Sequence, residues 1–258
     1  MYTPVTPYTQ VYCPSCSGYH GLGWQKAIPH AKRLMQRMAH RETIQLFETV
    51  SHDLDLLQTD WLFGDARGKM FGVLVGQTDQ GKECVCYAFS GQYRGLWSVP
   101  GWVDPVFDTA AFERMTRETE REIKTLTRQL AKLDPADKLF RQIKQHRKHL
   151  SKTLMKEIHS LYELRNFRGQ CRPLMDVFSS GGIPPTGTGD CCAPKLIHHA
   201  VLNNIKPKGM VEFYWGRSNR SETRQHGCFY PPCQEKCMPI LGFLFCGMEE
   251  KTEKNIYA

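Results

Sequence analysis

The chain has 258 residues, 41% of them apolar, and a formal net charge of +8. That supports a real core in one large domain or two small ones. The absence of any run of eighteen apolar residues excludes a membrane-spanning helix. Residues 1–5 show neither the basic nor the apolar region of a secretory signal, so a cytoplasmic location is expected. Eleven cysteines, odd in number and clustered, point to metal or catalytic use rather than a disulfide framework. The charge is uneven: residues 113–172 hold sixteen Lys/Arg against eight Asp/Glu, a net +8 in that segment alone. Such a segment fits an anionic partner such as RNA, and equally a solvated basic helix face.

Residues 1–25 are rich in Pro, Tyr, Gly and Ser and read as irregular. Within them Cys13-Pro14-Ser15-Cys16 has zinc-knuckle spacing with His20 nearby, but no second pair follows at the usual distance. Residues 27–57 read as helix, with Leu34, Met38, Ile44, Phe47 and Leu54 as its apolar stripe and His30, His40 and His52 on the surface. The runs Met70–Val75 and Cys84–Phe89, joined by a Gly-containing turn, predict a hairpin of buried strands. Cys84 and Cys86 share one face there and are read as packing residues. Residues 96–107 form a stiff loop with Trp97, Pro100, Trp102 and Pro105. Apolar residues at helical spacing from Ile123 to Leu133 and from Leu139 to Leu161, broken at Asp134-Pro135, predict two antiparallel helices. The second carries Arg141, Lys144, Arg147, Lys148, Lys152 and Lys156, the candidate RNA contacts.

Residues 181–246 hold the chemistry. A turn, Pro184-Pro185-Thr186-Gly187-Thr188-Gly189-Asp190-Cys191-Cys192-Ala193-Pro194, feeds a helix over residues 195–204. The run Met210-Val211-Glu212-Phe213-Tyr214-Trp215 reads as a buried strand, and His226-Gly227-Cys228-Phe229-Tyr230-Pro231-Pro232-Cys233 with Cys237 as a short strand feeding another helix. Three readings stay open. In the first, Cys191, Cys233 and Cys237, with His226, hold a zinc ion; thiols at helix starts ionise readily. The element order is that of the cytidine-deaminase-like fold, in which a Glu lies two residues after the first ligand. Here those positions are Ala193 or Pro194, so the general acid/base, worth about 10²–10⁴ in rate, is missing. In the second, Cys191 is a nucleophile, His226 its base, and Asp190 or Glu212 orients the imidazole. In the third, the thiols only fix a scaffold and nothing turns over.

The motifs Gly68-Lys69-Met70-Phe71-Gly72-Val73-Leu74-Val75, Pro100-Gly101-Trp102-Val103, Gly187-Thr188-Gly189-Asp190-Cys191-Cys192-Ala193-Pro194-Lys195-Leu196, Glu212-Phe213-Tyr214-Trp215-Gly216 and His226 to Cys237 resemble, in order, the N-terminal accessory region of long bacterial pseudouridine synthases of the ribosomal large-subunit and transfer-RNA type. In that pattern the position of Cys192 is usually Ala, which singles out Cys191. The resemblance implies an association with RNA modification, with ribosomal or transfer RNA as partner. The family's catalytic domain, with its Arg-Leu-Asp type motif, would follow this region, so no uridine isomerisation by these residues alone is expected. The fold expected is α/β, a small mixed sheet flanked by helices in a deaminase-like arrangement. A basic helical hairpin is inserted at about residues 109–165 of a single domain spanning 61–248. An N-terminal extension with a helix precedes it (1–60), and a tail follows (249–258).

Overall fold

Two apolar runs separated by a short polar turn set the centre of the sheet. In the computed structural model, which describes residues 8–48 and 54–250, β3 (Lys69–Gln77) pairs antiparallel with β4 (Glu83–Phe89) from Phe71↔Phe89 to Gln77↔Glu83. The other edge of β3 receives β7 (Lys206–Trp215), and the two-residue β8 (Phe229–Tyr230) pairs with β7 through Glu212↔Tyr230. The order is β4-β3-β7-β8, with every ladder antiparallel. The expected mixed sheet is therefore corrected. Parallel neighbours need a crossover between adjacent strands, and the one long connection, from β4 to β7, lands beside β3 instead. The β3–β7 register slips between Val75 and Gly76, opposite Pro207, which has no N–H to give the ladder.

Alternation along these strands divides the core in two. Phe71, Val73, Val75, Phe89, Val211, Phe213 and Trp215 face one side, against α1 (Ile28–Arg41) and the Trp102 loop. Phe71 and Phe213 stack at 5.7 Å, and the Trp102 indole donates to the Ile44 carbonyl at 2.9 Å, which pins the loop. Leu74, Cys86, Ala88 and Met210 face the other side, against α5 (Cys192–Leu202) and α6 (Met238–Phe245). No helix among the described residues is long and apolar enough to cross a membrane.

The N-terminal segment differs from its sequence reading. Residues 8–23 are a hairpin, β1 (Tyr8–Cys13) with β2 (Gly18–Gly23), because Thr9, Val11 and Cys13 alternate inward opposite His20 and Leu22. Residues 1–7 lie outside the described ones. Helix α1 stops at Arg41 rather than near residue 57. Glu42 takes a left-handed φ of 52° and returns its N–H to the Met38 carbonyl. Leu34, Met38 and Ile44 are buried, Ile44 from a loop, while Phe47 and Leu54 are exposed. Residues 49–53, inside the expected helix, and 251–258, most of the expected tail, are outside the described residues.

Between β4 and β5 (Glu163–Arg165) lie two long helices, α2 (Thr109–Leu130) and α3 (Lys138–Ser160). The Asp108 carboxylate accepts from the Ala110 and Ala111 N–H groups at 2.8 and 3.1 Å and starts α2. The helices touch through Glu122–His146 at 3.1 Å and Arg147–Thr127 at 3.2 Å. The short β6 (Cys171–Pro173) pairs with β5, and α4 (Leu174–Val177) leads into the Gly/Pro-rich turn before α5.

Candidate metal centre

The thiols of Cys191, Cys233 and Cys237 come together, their sulfurs all within 4.8 Å of one another. Each is placed by a helix start. Cys191 is the extended residue capping α5, with φ −71° and ψ 164°. The Cys233 carbonyl accepts from the N–H groups of both Cys237 and Met238. This single helical turn into α6 sets side chains four apart on one face. The Cys-x3-Cys spacing is thus a helical-turn chelate, with Cys233 and Cys237 sulfurs 3.3 Å apart and Cys191 3.9 Å from Cys233.

The three sulfurs hydrogen-bond one another. Hydrogen bonding from Cys191 and Cys237 draws the Cys233 thiol strongly down, and the same contacts push Cys191 and Cys237 well up. Ionising a second thiol would set like charges side by side in a buried site. A cation removes that penalty, so the trio can hold a metal ion with three thiolates.

Glu212 stands behind the trio. It is 4% exposed, and its Oε1 accepts the Ala193 N–H of α5 at 2.7 Å, satisfying a helix-start donor that α5 cannot pair itself. Burial pushes its carboxyl up to about 7, against the pull of that N–H. Asp190, which directly precedes Cys191, takes a 2.6 Å hydrogen bond from the Tyr162 hydroxyl while its carbonyl accepts from the Gly91 N–H. Burial raises its carboxyl, opposed by Tyr162 and by Lys195, Lys236 and Lys69. Lys195 is 1% exposed, donates to the Phe89 carbonyl at 3.0 Å and lies 4.5 Å from the Phe89 ring centre. Lys69 donates to the Ser90 carbonyl at 2.7 Å, and burial lowers its ammonium to about 8. Buried charges this costly cluster where chemistry or binding needs them.

A cavity of about 370 Å³ between α2, α3 and the turn at residues 186–190 has Asp190 in its wall, with Trp97, Tyr162 and His159.

His226 is not brought to the sulfurs. It is exposed, its ring 4.2 Å from that of Trp215 and 5.2 Å from that of Phe63, with Nδ1 accepting the Gly216 N–H. Trp215 faces the α1 side of the sheet, whereas the three cysteines belong to the α5–α6 side. The side-chain alternation of β7 separates them. Among the candidate RNA contacts, Arg141, Lys144, Lys148 and Lys152 are exposed along one stripe of α3 with Lys156. Arg147 turns aside, half-buried, to Thr127 of α2.

A second group that can hold a metal is Cys13, Cys16, His20 and Cys246. Cys246 carries no local signal, since its partners lie at the other end of the chain. Glu212 and Lys195 did carry one: each is a lone charge inside an apolar run, and such a residue is either paired or functional. No protein-family model, curated protein or solved structure matches this chain.

Proposed function

We propose that the chain is a zinc-bearing protein of RNA modification that works in the reducing cytoplasm. Cys191, Cys233 and Cys237 hold the ion, and the exposed basic stripe of α3 docks RNA. The observation that carries this is the meeting of three thiols from two helix starts within 4.8 Å of one another, flanked by the buried Glu212. Three protein ligands leave the fourth zinc position for water or substrate, the arrangement of reactive rather than purely structural sites. All eleven cysteines are free, which fits a reducing compartment. Helix α3 has seven Lys/Arg and one Glu, and its stripe runs along the helix that also walls the cavity beside Asp190. The resemblance to the pseudouridine-synthase accessory region points to ribosomal or transfer RNA.

Two measurements test this. Elemental analysis of purified protein should show zinc that a Cys233→Ser variant loses. RNA binding should weaken steeply with salt, and a Lys144/Lys148/Lys152 triple Ala variant should show a smaller salt slope. Zinc content unchanged in Cys233→Ser, or no RNA affinity even at low salt, ends the corresponding half.

Glu212 favours one second reading, a deaminase-like zinc hydrolase. Strand β7 supplies the buried carboxylate that the expected sequence position lacks. Release of ammonia from an RNA substrate by the native protein, abolished in Glu212→Gln, is its test; no ammonia from either protein rejects it.

A further inference from the structure

The two ends of the described chain meet at the second ligand group. Cys13 ends β1, Cys16 sits in the following turn, His20 points inward from β2, and Cys246 follows the last turn of α6. We propose that these four residues form a closed structural zinc site that staples the β1–β2 hairpin to the end of α6. It is separate from the three-thiol centre and does not rest on the reading of that centre.

The ligand set comes first. Three thiols and one imidazole, all within 4.8 Å of one another, complete the Cys₃His set of structural zinc sites. Zinc bonds of about 2.3 Å to sulfur and about 2.0–2.1 Å to nitrogen put tetrahedral ligand atoms about 3.5–3.8 Å apart. Cys16 Sγ and His20 Nε2, at 3.1 Å, are already within a few tenths of that separation. Cys13 and Cys246 are fully buried and His20 is 9% exposed, so an ion held here has little contact with water.

The backbone is shaped for the same purpose. Ser17 takes a φ of 54°, a left-handed conformation uncommon outside glycine, which folds the chain back under Cys16. The Gly18 N–H then hydrogen-bonds the Cys16 sulfur, and Gly18 pairs across the hairpin with Cys13. Pro14 stiffens the two-residue loop between the cysteines.

The observation that separates a metal from a disulfide is His20. Its Nδ1 lies 2.9 Å from Glu249 Oε2. With Nδ1–H donated to that carboxylate, Nε2 keeps its lone pair and faces Cys16. A carboxylate that fixes the tautomer and aim of an imidazole is the usual support of a metal-bound histidine. A Cys–Cys bond would have no use for it. Soft thiolates with imidazole in a four-coordinate set select zinc among common divalent ions.

The experiment counts metal in the full chain purified under reducing conditions. Two zinc ions per chain are expected in the native protein, and one each in His20→Ala, Cys16→Ser and Cys233→Ser. His20→Cys keeps four ligands and should retain both ions, which guards against a His20→Ala variant that simply fails to fold. Cobalt loaded into Cys233→Ser should give the spectrum of a tetrahedral thiolate site, absent in the Cys16→Ser/Cys233→Ser double variant. A native protein with a single zinc that Cys233→Ser abolishes overturns this proposal and leaves the three-thiol centre standing. Zinc in Cys233→Ser that His20→Ala or Cys16→Ser does not reduce also overturns it, as does a His20→Cys protein as metal-poor as His20→Ala. One zinc in the native protein, retained in Cys233→Ser and lost in Cys16→Ser, upholds this site and rejects the other.

Discussion

Gly72 is where the sheet admits helix α5, and replacing it by Ala tests how the metal centre is positioned. A methyl group there would lie 2.6 Å from the Cys192 Cβ and 2.9 Å from the Leu196 Cδ1. Carbon atoms in contact sit about 3.5–4.0 Å apart, so α5 must retreat by about 1 Å at Cys192. Neither partner has slack, since Cys192 and Leu196 are both fully buried. Overpacking of this kind costs about 1–3 kcal/mol. Replacing Gly by Ala in a strand returns about 0.5–1 kcal/mol. The net expectation is a loss of about 1–2 kcal/mol, read as a lower denaturant midpoint with an unchanged slope. Because Cys192 adjoins Cys191, the same shift should draw Cys191 from its two partners and weaken zinc retention against a chelator. Leu196→Ala removes one of the two clashes, so it should cost less in the Gly72→Ala background than in the native chain. A Gly72→Ala protein as stable as the native one, with zinc held equally well, would show that α5 is not seated on β3 as described.

Other expectations follow from single contacts. Gly242→Ala should be worse than Gly72→Ala, because its methyl would run into the Tyr12 carbonyl oxygen and backbone cannot rotate away; thermal unfolding of the two variants side by side decides this. Asp108→Ala removes the carboxylate that caps α2 and should cost about 1 kcal/mol by denaturant unfolding. His198 is buried with its Nδ1 unpaired among the described residues, and burial, reinforced by Arg165 and His199, lowers its imidazole from 6.5 to about 4. Between those values the unfolded chain binds the extra proton, so stability falls as pH drops from 6.5 towards 4, by up to about 3 kcal/mol in all. His198→Gln should flatten that acid limb, and parallel stability–pH curves for variant and native chain would refute the assignment.

What could be read without a structure was local. The Met70–Phe89 hairpin, the apolar run that becomes β7, the helix at 138–160 and the helix after Cys192 follow from periodicity and turn residues within a few positions, whereas the apolar spacing from Ile123 to Leu133 marks only the second half of α2, whose first turns begin at Thr109. The β1–β2 hairpin was hidden by its Tyr, Gly and Ser content, although its inward residues alternate cleanly. Ile44 continues the apolar spacing of α1 past its end at Arg41; it is buried from a loop, and spacing alone does not distinguish a loop residue from a helical one.

The donors are legible in the residues alone: thiols at two helix starts, a Cys-x2-Cys turn with a histidine, and a helix heavily weighted to Lys and Arg. Which donors share a site was decided only by the tertiary structure. The side-chain alternation of β7 turns Trp215, and His226 stacked on it, to the face away from the three cysteines. The packing of α6 against β1 carries Cys246 across the whole length of the chain to Cys13, Cys16 and His20. Local spacing sets which way a side chain points along its own element; it has no means of saying which distant element that side chain will meet.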